Sequence, residues 1–335
     1  MARNKLQVVN KSRSEKYNIE EPTKPEEEKK KIKTIKKEKT IKEKTVKQDQ
    51  DEEIEIKQLN PFVKKIIILF IVIITVFISY SMFVEPNLLQ VKEYKIETSK
   101  IEENFHGLKI IQISDINYGT SFTEKDLEKT VNKINELKPD IVLFTGNLID
   151  KTIKIDEQNK KIITNQLSKI ETSLYKYAIY GSNDYNNTFE EIMNEANFII
   201  LDNEAQLIYN QDETPIVLIG FNNNKTEKDY TIINNFINEI DTSNYYKIVL
   251  THSPEITDEI LIHKPDLILS GKTLGGIINL GFTKPLFLEK NTKYYKDYYK
   301  LQNTKLYISN GLGTDEINMR FNNIPSINLF RIYKK

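Results

Sequence analysis

The chain has 335 residues, no cysteine, and equal numbers of basic and acidic side chains, 48 of each. The missing cysteine excludes disulfide frameworks, zinc-finger sites and thiol nucleophiles. The neutral total hides an uneven distribution of charge; a polybasic tract can bind nucleic acid, but no nucleic-acid partner is expected.

Residues 1–60 hold a large share of the charge. The stretch Thr34-Ile-Lys-Lys-Glu-Lys-Thr-Ile-Lys-Glu-Lys-Thr-Val-Lys47 is a crude basic repeat, and Asp49-Gln-Asp-Glu-Glu-Ile-Glu55 follows it as an acidic run. Such a segment has too little apolar surface to offset its ordering entropy, so a disordered tail is expected. A polybasic tract can attract anionic lipid, and one reading makes this tail the working part of the protein. The interspersed glutamates favour a plain solvated tail.

Ile66 to Val84 is uncharged and dominated by Ile, Val, Phe and Leu. That is the length needed to cross a hydrocarbon core of roughly 30 Å as a helix. A core helix would show a polar face over such a span. A transmembrane helix is therefore expected over residues 62–85. Lys64 and Lys65 precede it, whereas Glu85 and Pro86 follow. The positive-inside rule then puts the tail in the cytoplasm and the rest outside the cell membrane.

Residues 86–335 read as one α/β domain. Strands are expected at Lys109–Ile113, Asp140–Phe144, Lys176–Tyr180, Ile216–Ile219, Lys247–Leu250, Leu267–Leu269, Lys305–Ile308 and Ile327–Phe330. Thr123 opens an amphipathic helix with Leu127, Val131 and Ile134 on one side. Strand–helix alternation predicts parallel pairing. His106 and His263 read as surface or loop histidines. Lys293-Tyr-Tyr-Lys-Asp-Tyr-Tyr-Lys300 reads as a solvated strand or loop whose Tyr and Lys also suit a sugar, a phosphate or a lipid headgroup.

Five short stretches each follow one of these strands: Ile113-Ser-Asp-Ile-Asn-Tyr-Gly119, Phe144-Thr-Gly-Asn-Leu-Ile-Asp150, Tyr180-Gly-Ser-Asn-Asp-Tyr185, Leu250-Thr-His-Ser-Pro254 and Leu269-Ser-Gly-Lys-Thr-Leu-Gly-Gly276. Taken in order, they resemble the D-x-H, G-D, G-N-H-D, H and G-H-x-H motifs of the calcineurin-like metallophosphoesterases, in their membrane-associated bacterial branch. Tyr307-Ile-Ser-Asn-Gly-Leu-Gly313, with Arg320 and Pro325 beyond it, is similar to that branch's ending. The resemblance implies an α/β sandwich of two sheets flanked by helices.

It also implies two divalent metal ions. By motif position, the first would fall to Asp115, Asn117, Asn147 and Leu274. The second would fall to Asn147, Ser182, His252 and Lys272. Only Asp115 and His252 match the family's ligands. Asn147 supplies a neutral amide where the family has a bridging carboxylate. Leu274 has no donor atom, and Lys272 presents a cation with no lone pair. Asn183 stands at the family's general-acid His and does not titrate. A two-metal mechanism needs both cations, so no cofactor and no turnover are expected.

The expectation is a non-catalytic binding or scaffolding protein with an unidentified envelope ligand or protein partner. The alternative is a divergent metal-dependent phosphoesterase acting on a phospholipid or envelope phosphate ester. Asp115, Asn117, Asn147, Asp150, Asn183 and Asp184 are oxygen donors that a hard cation accepts. Lys272 with Asn183 would instead suit an anion. Lys272 is also expected to face Asp115 across the vacated second-metal position.

Overall fold

The computed structural model describes residues 60–119, 121–211, 214–222, 230–315 and 317–335. The tail expected over residues 1–60 lies outside the described residues apart from Asn60. The chain divides into two units, Met1–Ile67 and Ile68–Lys335.

Helix α1, Pro61–Phe83, is the one helix among the described residues long and apolar enough to cross a membrane. Only 6% of its most apolar window is buried, which sets it apart from the core helix of a soluble protein. Its last turns are fixed inside the second unit. Ser81 is fully buried and its carbonyl accepts the Arg320 amide at 2.8 Å. The Phe321 ring lies 4.6 Å from Phe77 and 6.3 Å from Tyr80.

The rest of the second unit is a two-sheet sandwich. In chain order its strands are β1 (Gln90–Thr98), β2 (Leu108–Ile113), β3 (Ile141–Phe144), β4 (Tyr175–Ala178), β5 (Ile199–Ile200), β6 (Glu204–Ile208), β7 (Ile216–Phe221), β8 (Lys247–Thr251), β9 (Leu267–Ser270), β10 (Tyr298–Leu301), β11 (Thr304–Ile308) and β12 (Ser326–Lys334). One sheet has the order β1-β12-β2-β3-β4-β5, the other β10-β11-β9-β8-β7-β6.

Pairing is parallel along β2-β3-β4-β5, along β11-β9-β8-β7 and between β1 and β12. The all-parallel expectation fails at three places. Strand β12 runs antiparallel to β2, and the edge strands β6 and β10 run antiparallel to their neighbours. Both of those edge strands follow or precede their partners through short connections, which permit a hairpin and forbid a crossover.

The period-2 alternation of strands assigns each side chain to a layer. In β3, Ile141 and Leu143 face the gap between the sheets, where they meet Ile216, Leu218, Ile248, Leu250, Leu267 and Leu269. Val142 and Phe144 face outward under the helices α2 (Glu124–Leu137), α3 (Glu157–Ser168) and α4 (Asn187–Glu195). The second sheet carries a thinner outer layer with α5 (Thr231–Glu239) and α6 (Thr257–Ile260). Helix α2 buries Leu127, Val131 and Ile134, the stripe its spacing predicts. Thr123 caps it: its backbone amide and hydroxyl both donate to the Asp126 carboxylate. With parallel strands in both sheets, their carboxyl ends share one rim, and ligand sites form there.

Candidate functional site

Six loops leave strand ends at that rim. Asp115 and Asn117 follow β2, Asn147 follows β3, and Ser182, Asn183 and Asp184 follow β4. His252 follows β8, Lys272 and Leu274 follow β9, and Asn310 follows β11. The loops approach closely because glycines stand where they meet. A Cβ on Gly181 would stand 2.2 Å from the Asn147 amide, and one on Gly271 would stand 2.6 Å from Asp115 Oδ2. No side chain fits at either point.

Asp115 is the centre. Its side chain is buried, and burial pushes its carboxyl above the usual carboxylate range. His252, the Ser114 hydroxyl, the Asn147 amide and the Lys272 N–H all pull it the other way. Ser114 Oγ donates to Oδ2 at 2.5 Å and the Lys272 amide at 3.3 Å. Asn147 Nδ2 donates to Oδ1 at 3.0 Å. Asn147 Oδ1 in turn accepts the Asn183 backbone N–H at 3.2 Å.

His252 is fully buried, with Nδ1 2.7 Å from the Thr145 carbonyl. A carbonyl only accepts, so Nδ1 carries a proton. Nε2 points toward Asp115 Oδ1 at 4.0 Å and has no hydrogen-bond partner. Both amide atoms of buried Asn117 are also unpartnered. Such orphaned polar atoms each cost about 1–3 kcal/mol unless water or an ion meets them.

The backbone is strained at the same positions. Asp115, Asn117, Asn147, Lys272 and Leu274 all adopt positive φ, between 45° and 61°. Asn and Asp tolerate the left-handed region; Lys and Leu do so at greater cost.

These positions do converge, but two of the expected roles are corrected. The Lys272 ammonium does not face Asp115. It turns outward to Glu255 Oε2 at 3.0 Å, and both side chains are partly exposed. Only the Lys272 backbone reaches Asp115. With that ammonium paired to Glu255, the anion pocket expected of Lys272 and Asn183 does not have both cation and amide aimed into the crevice; the Asn183 backbone N–H is held by Asn147 Oδ1. Asp184 and Asp150 are also occupied. The Asp184 carboxylate accepts the amides of Asn147, Leu148 and Gly181 at 2.6, 2.9 and 2.8 Å. Asp150 Oδ1 accepts the amide and hydroxyl of Thr152.

Two further groups are not marked by any of the five motifs. Arg320 is buried, and its guanidinium donates to the carbonyls of Asn310, Asn323 and Gly313 at 2.8, 3.0 and 2.5 Å. Burial pushes it down to about 10, while Asp115 and Glu85 hold it up. Asn323 Nδ2 donates to the carbonyls of Leu274 and Gly276, each at 2.7 Å. Together they fix the last motif loop against the C-terminal segment. In the sequence, Arg320 is marked only through the resemblance of the C-terminal segment to the family branch's ending, with no role attached, and Asn323 is not marked at all.

A two-sheet sandwich with these strand-end loops at one rim defines the metallophosphoesterase class of fold. A family model described as calcineurin-like phosphoesterase matches residues 108–274. The uncharacterized metallophosphoesterase YkuE of Bacillus subtilis (strain 168) is 28% identical over 259 residues, covering 76% of this chain and 88% of the relative. The Danio rerio transmembrane protein with metallophosphoesterase domain is 23% identical over 267 residues, 76% of this chain and 59% of that one. The UDP-2,3-diacylglucosamine pyrophosphatase LpxG of Chlamydia muridarum is 35% identical over 101 residues, 30% of each chain. The chain belongs to the calcineurin-like metallophosphoesterases.

Members of this family generally use divalent metals, and the donor set here does not fit a pair of them. Asn147, at the bridging position, already spends its amide on Asp115 and its oxygen on Asn183. Leu274 is buried, with its side chain packed over Gly311 beside Asp115. Lys272 points away, and Ser182 faces solvent. Among the described residues, no group of three or more His, Asp or Glu side chains is placed to hold a metal.

Proposed function

We propose that this is a membrane-anchored metallophosphoesterase-like protein without turnover, with a binding or scaffolding role at the cell envelope. The observation that supports it is the Asn147 Nδ2 hydrogen bond to Asp115 Oδ1. A bridging carboxylate at position 147 would put two negative charges at that distance and would need a cation between them. The amide removes the need and fills the gap. Without a metal-bound hydroxide and without a titratable group at Asn183, the crevice lacks the nucleophile and the acid that the family's two-metal mechanism uses.

The test uses the full chain purified in detergent. Elemental analysis should find bound metal well below stoichiometric, and added Mn²⁺ should give no hydrolysis of a generic phosphodiester. Near-stoichiometric metal, with Mn²⁺-dependent turnover lost in Asp115→Ala, would overturn this reading. It would promote a divergent phosphoesterase acting on a phospholipid or envelope phosphate ester. The similarity to a pyrophosphatase of a diacylated sugar nucleotide favours that alternative.

The anchor is α1, with the charged tail in the cytoplasm and the sandwich outside. Lys64 and Lys65 support this orientation, since basic residues flank the cytoplasmic end. Protease added to intact cells should degrade the domain after Val84 and spare a fragment carrying the tail. Digestion of the domain only after lysis would reverse the topology.

A further inference from the structure

The loop after the last motif is apolar and bare. Phe282 is 84% exposed, Phe287 63% and Leu286 43%. Scattered exposed apolar residues need no explanation, but three within one short loop do. The loop's place in the fold supplies one.

Backbone hydrogen bonds tie the loop to Phe321, whose ring touches the last turns of α1. Phe321 donates to Ile277 and accepts from Asn279, and Leu286 donates to Ile278. Phe321 itself packs on Phe77 and Tyr80. Phe77 lies about 9 Å before Phe83 along a helix axis rising 1.5 Å per residue. A segment touching Phe77 therefore sits below the level at which the chain leaves the helix. Glu85 marks that level: its buried carboxylate accepts the backbone amides of Asn322 and Asn323.

Beside the loop opens a pocket of about 790 Å³, whose lining includes Lys92, Phe282, Lys284, Tyr295 and Lys296. Asp115, Asn147, His252 and Lys272 do not line it. Its two acids are spent: Glu85 on the amides just named, and Asp297 on Lys92 Nζ at 2.5 Å. Lys284 lies over the Tyr295 ring at 5.5 Å and, among the described residues, donates only to the Thr292 carbonyl, at 3.3 Å. Lys284 and Lys296 thus leave the pocket net cationic. Tyr and Lys at the edge of an apolar face are the residues that accept lipid headgroups.

We propose that the loop 281–288 seats in the surface of the bilayer spanned by α1, and that the pocket behind it takes the phosphate headgroup of an anionic phospholipid from that bilayer. This rests on the reading of α1 as a membrane span. It is a second binding site, separate from the crevice around Asp115.

The chain has no tryptophan, so a single introduced indole reports without background. The full chain carrying F282W is placed in nanodiscs of phosphatidylcholine, with or without phosphatidylglycerol. Either lipid is supplied with brominated acyl chains at equal fraction. V72W, within α1, is the control for the span. I262W, exposed before the amino end of β9, is the control for water.

The expected result is emission at shorter wavelength for F282W than for I262W. Quenching by brominated phosphatidylglycerol should exceed quenching by brominated phosphatidylcholine several-fold, from local enrichment at the lysines. K284E with K296E should abolish that excess and leave the phosphatidylcholine quenching in place. Emission from F282W matching I262W, with V72W quenched, would overturn the seating of the loop. Equal quenching by the two lipids would overturn the headgroup site. An unquenched V72W would instead remove the span itself, a pattern distinct from either.

Discussion

Asn147→Asp should make the stability of this protein depend on divalent metal. The substitution keeps shape and volume but turns a donor facing Asp115 Oδ1 into a second acceptor at 3.0 Å. Both groups are buried. Leaving a buried charge uncompensated costs about 3–5 kcal/mol. For a domain of this size that is a fall in Tm on the order of 10 °C. The sign with pH follows from two carboxyls sharing one site, where the second ionisation is held above the usual carboxylate value. One proton held between them relieves the repulsion, so the loss should shrink as pH falls through that raised value and grow as pH rises. Added Mn²⁺ should recover part of the loss, and the parent chain should show no such response. Thermal unfolding of the full chain in detergent, with and without Mn²⁺ at several pH values, measures all of this. A variant as stable as the parent without metal would show that the Asn147 amide is not what replaces the cation.

Arg320→Ala should be more damaging. It removes the donors to the carbonyls of Asn310, Asn323 and Gly313 and leaves a cavity the size of a guanidinium. Each stranded carbonyl costs about 1–3 kcal/mol, and unfilled volume adds to that. A total above about 4 kcal/mol is expected, in the exceptional range for one substitution. Because the Arg320 amide also holds the Ser81 carbonyl, local disorder should spread to the end of α1. Amide exchange should rise first at Ser81 to Asn87 and at Leu274 to Gly276. Arg320→Lys keeps the charge but loses the planar fork, and should recover less than half of the loss. Near-parental stability of Arg320→Ala would show that water satisfies those carbonyls equally well.

The interior of both sheets was legible because strands buried on two faces read as unbroken apolar runs, as in Ile141-Val-Leu-Phe144. Two-residue β5 was too short to mark; β1 and β6 were not marked either, and β10 only as a solvated strand or loop. These last three each have one wet face and carry polar or charged residues, as in Gln90-Val-Lys-Glu-Tyr-Lys-Ile-Glu-Thr98, which also reads as a helix surface. The convergence of Asp115, Asn147, His252 and the Lys272 backbone was legible from motif order. The direction of the Lys272 side chain was not. It depends on Glu255, which follows a different strand and whose acidity says nothing about its partner until the loops are in place. Asp184 likewise offered itself as a free oxygen donor, and only the fold reveals the three amides that occupy it.

The left-handed residues of the crevice carry a consequence for rebuilding it. A side chain can be exchanged without moving a loop only if the new residue accepts the φ already there. Lys272 and Leu274 hold φ of 55° and 53°, an arrangement that costs an ordinary residue about 1–3 kcal/mol. Histidine, with asparagine and aspartate, enters that region more readily. Imidazoles at positions 272 and 274, and at 117 where φ is 45°, would therefore relax the turns they occupy rather than distort them. Such substitutions ask of the backbone no φ that these three positions do not already hold.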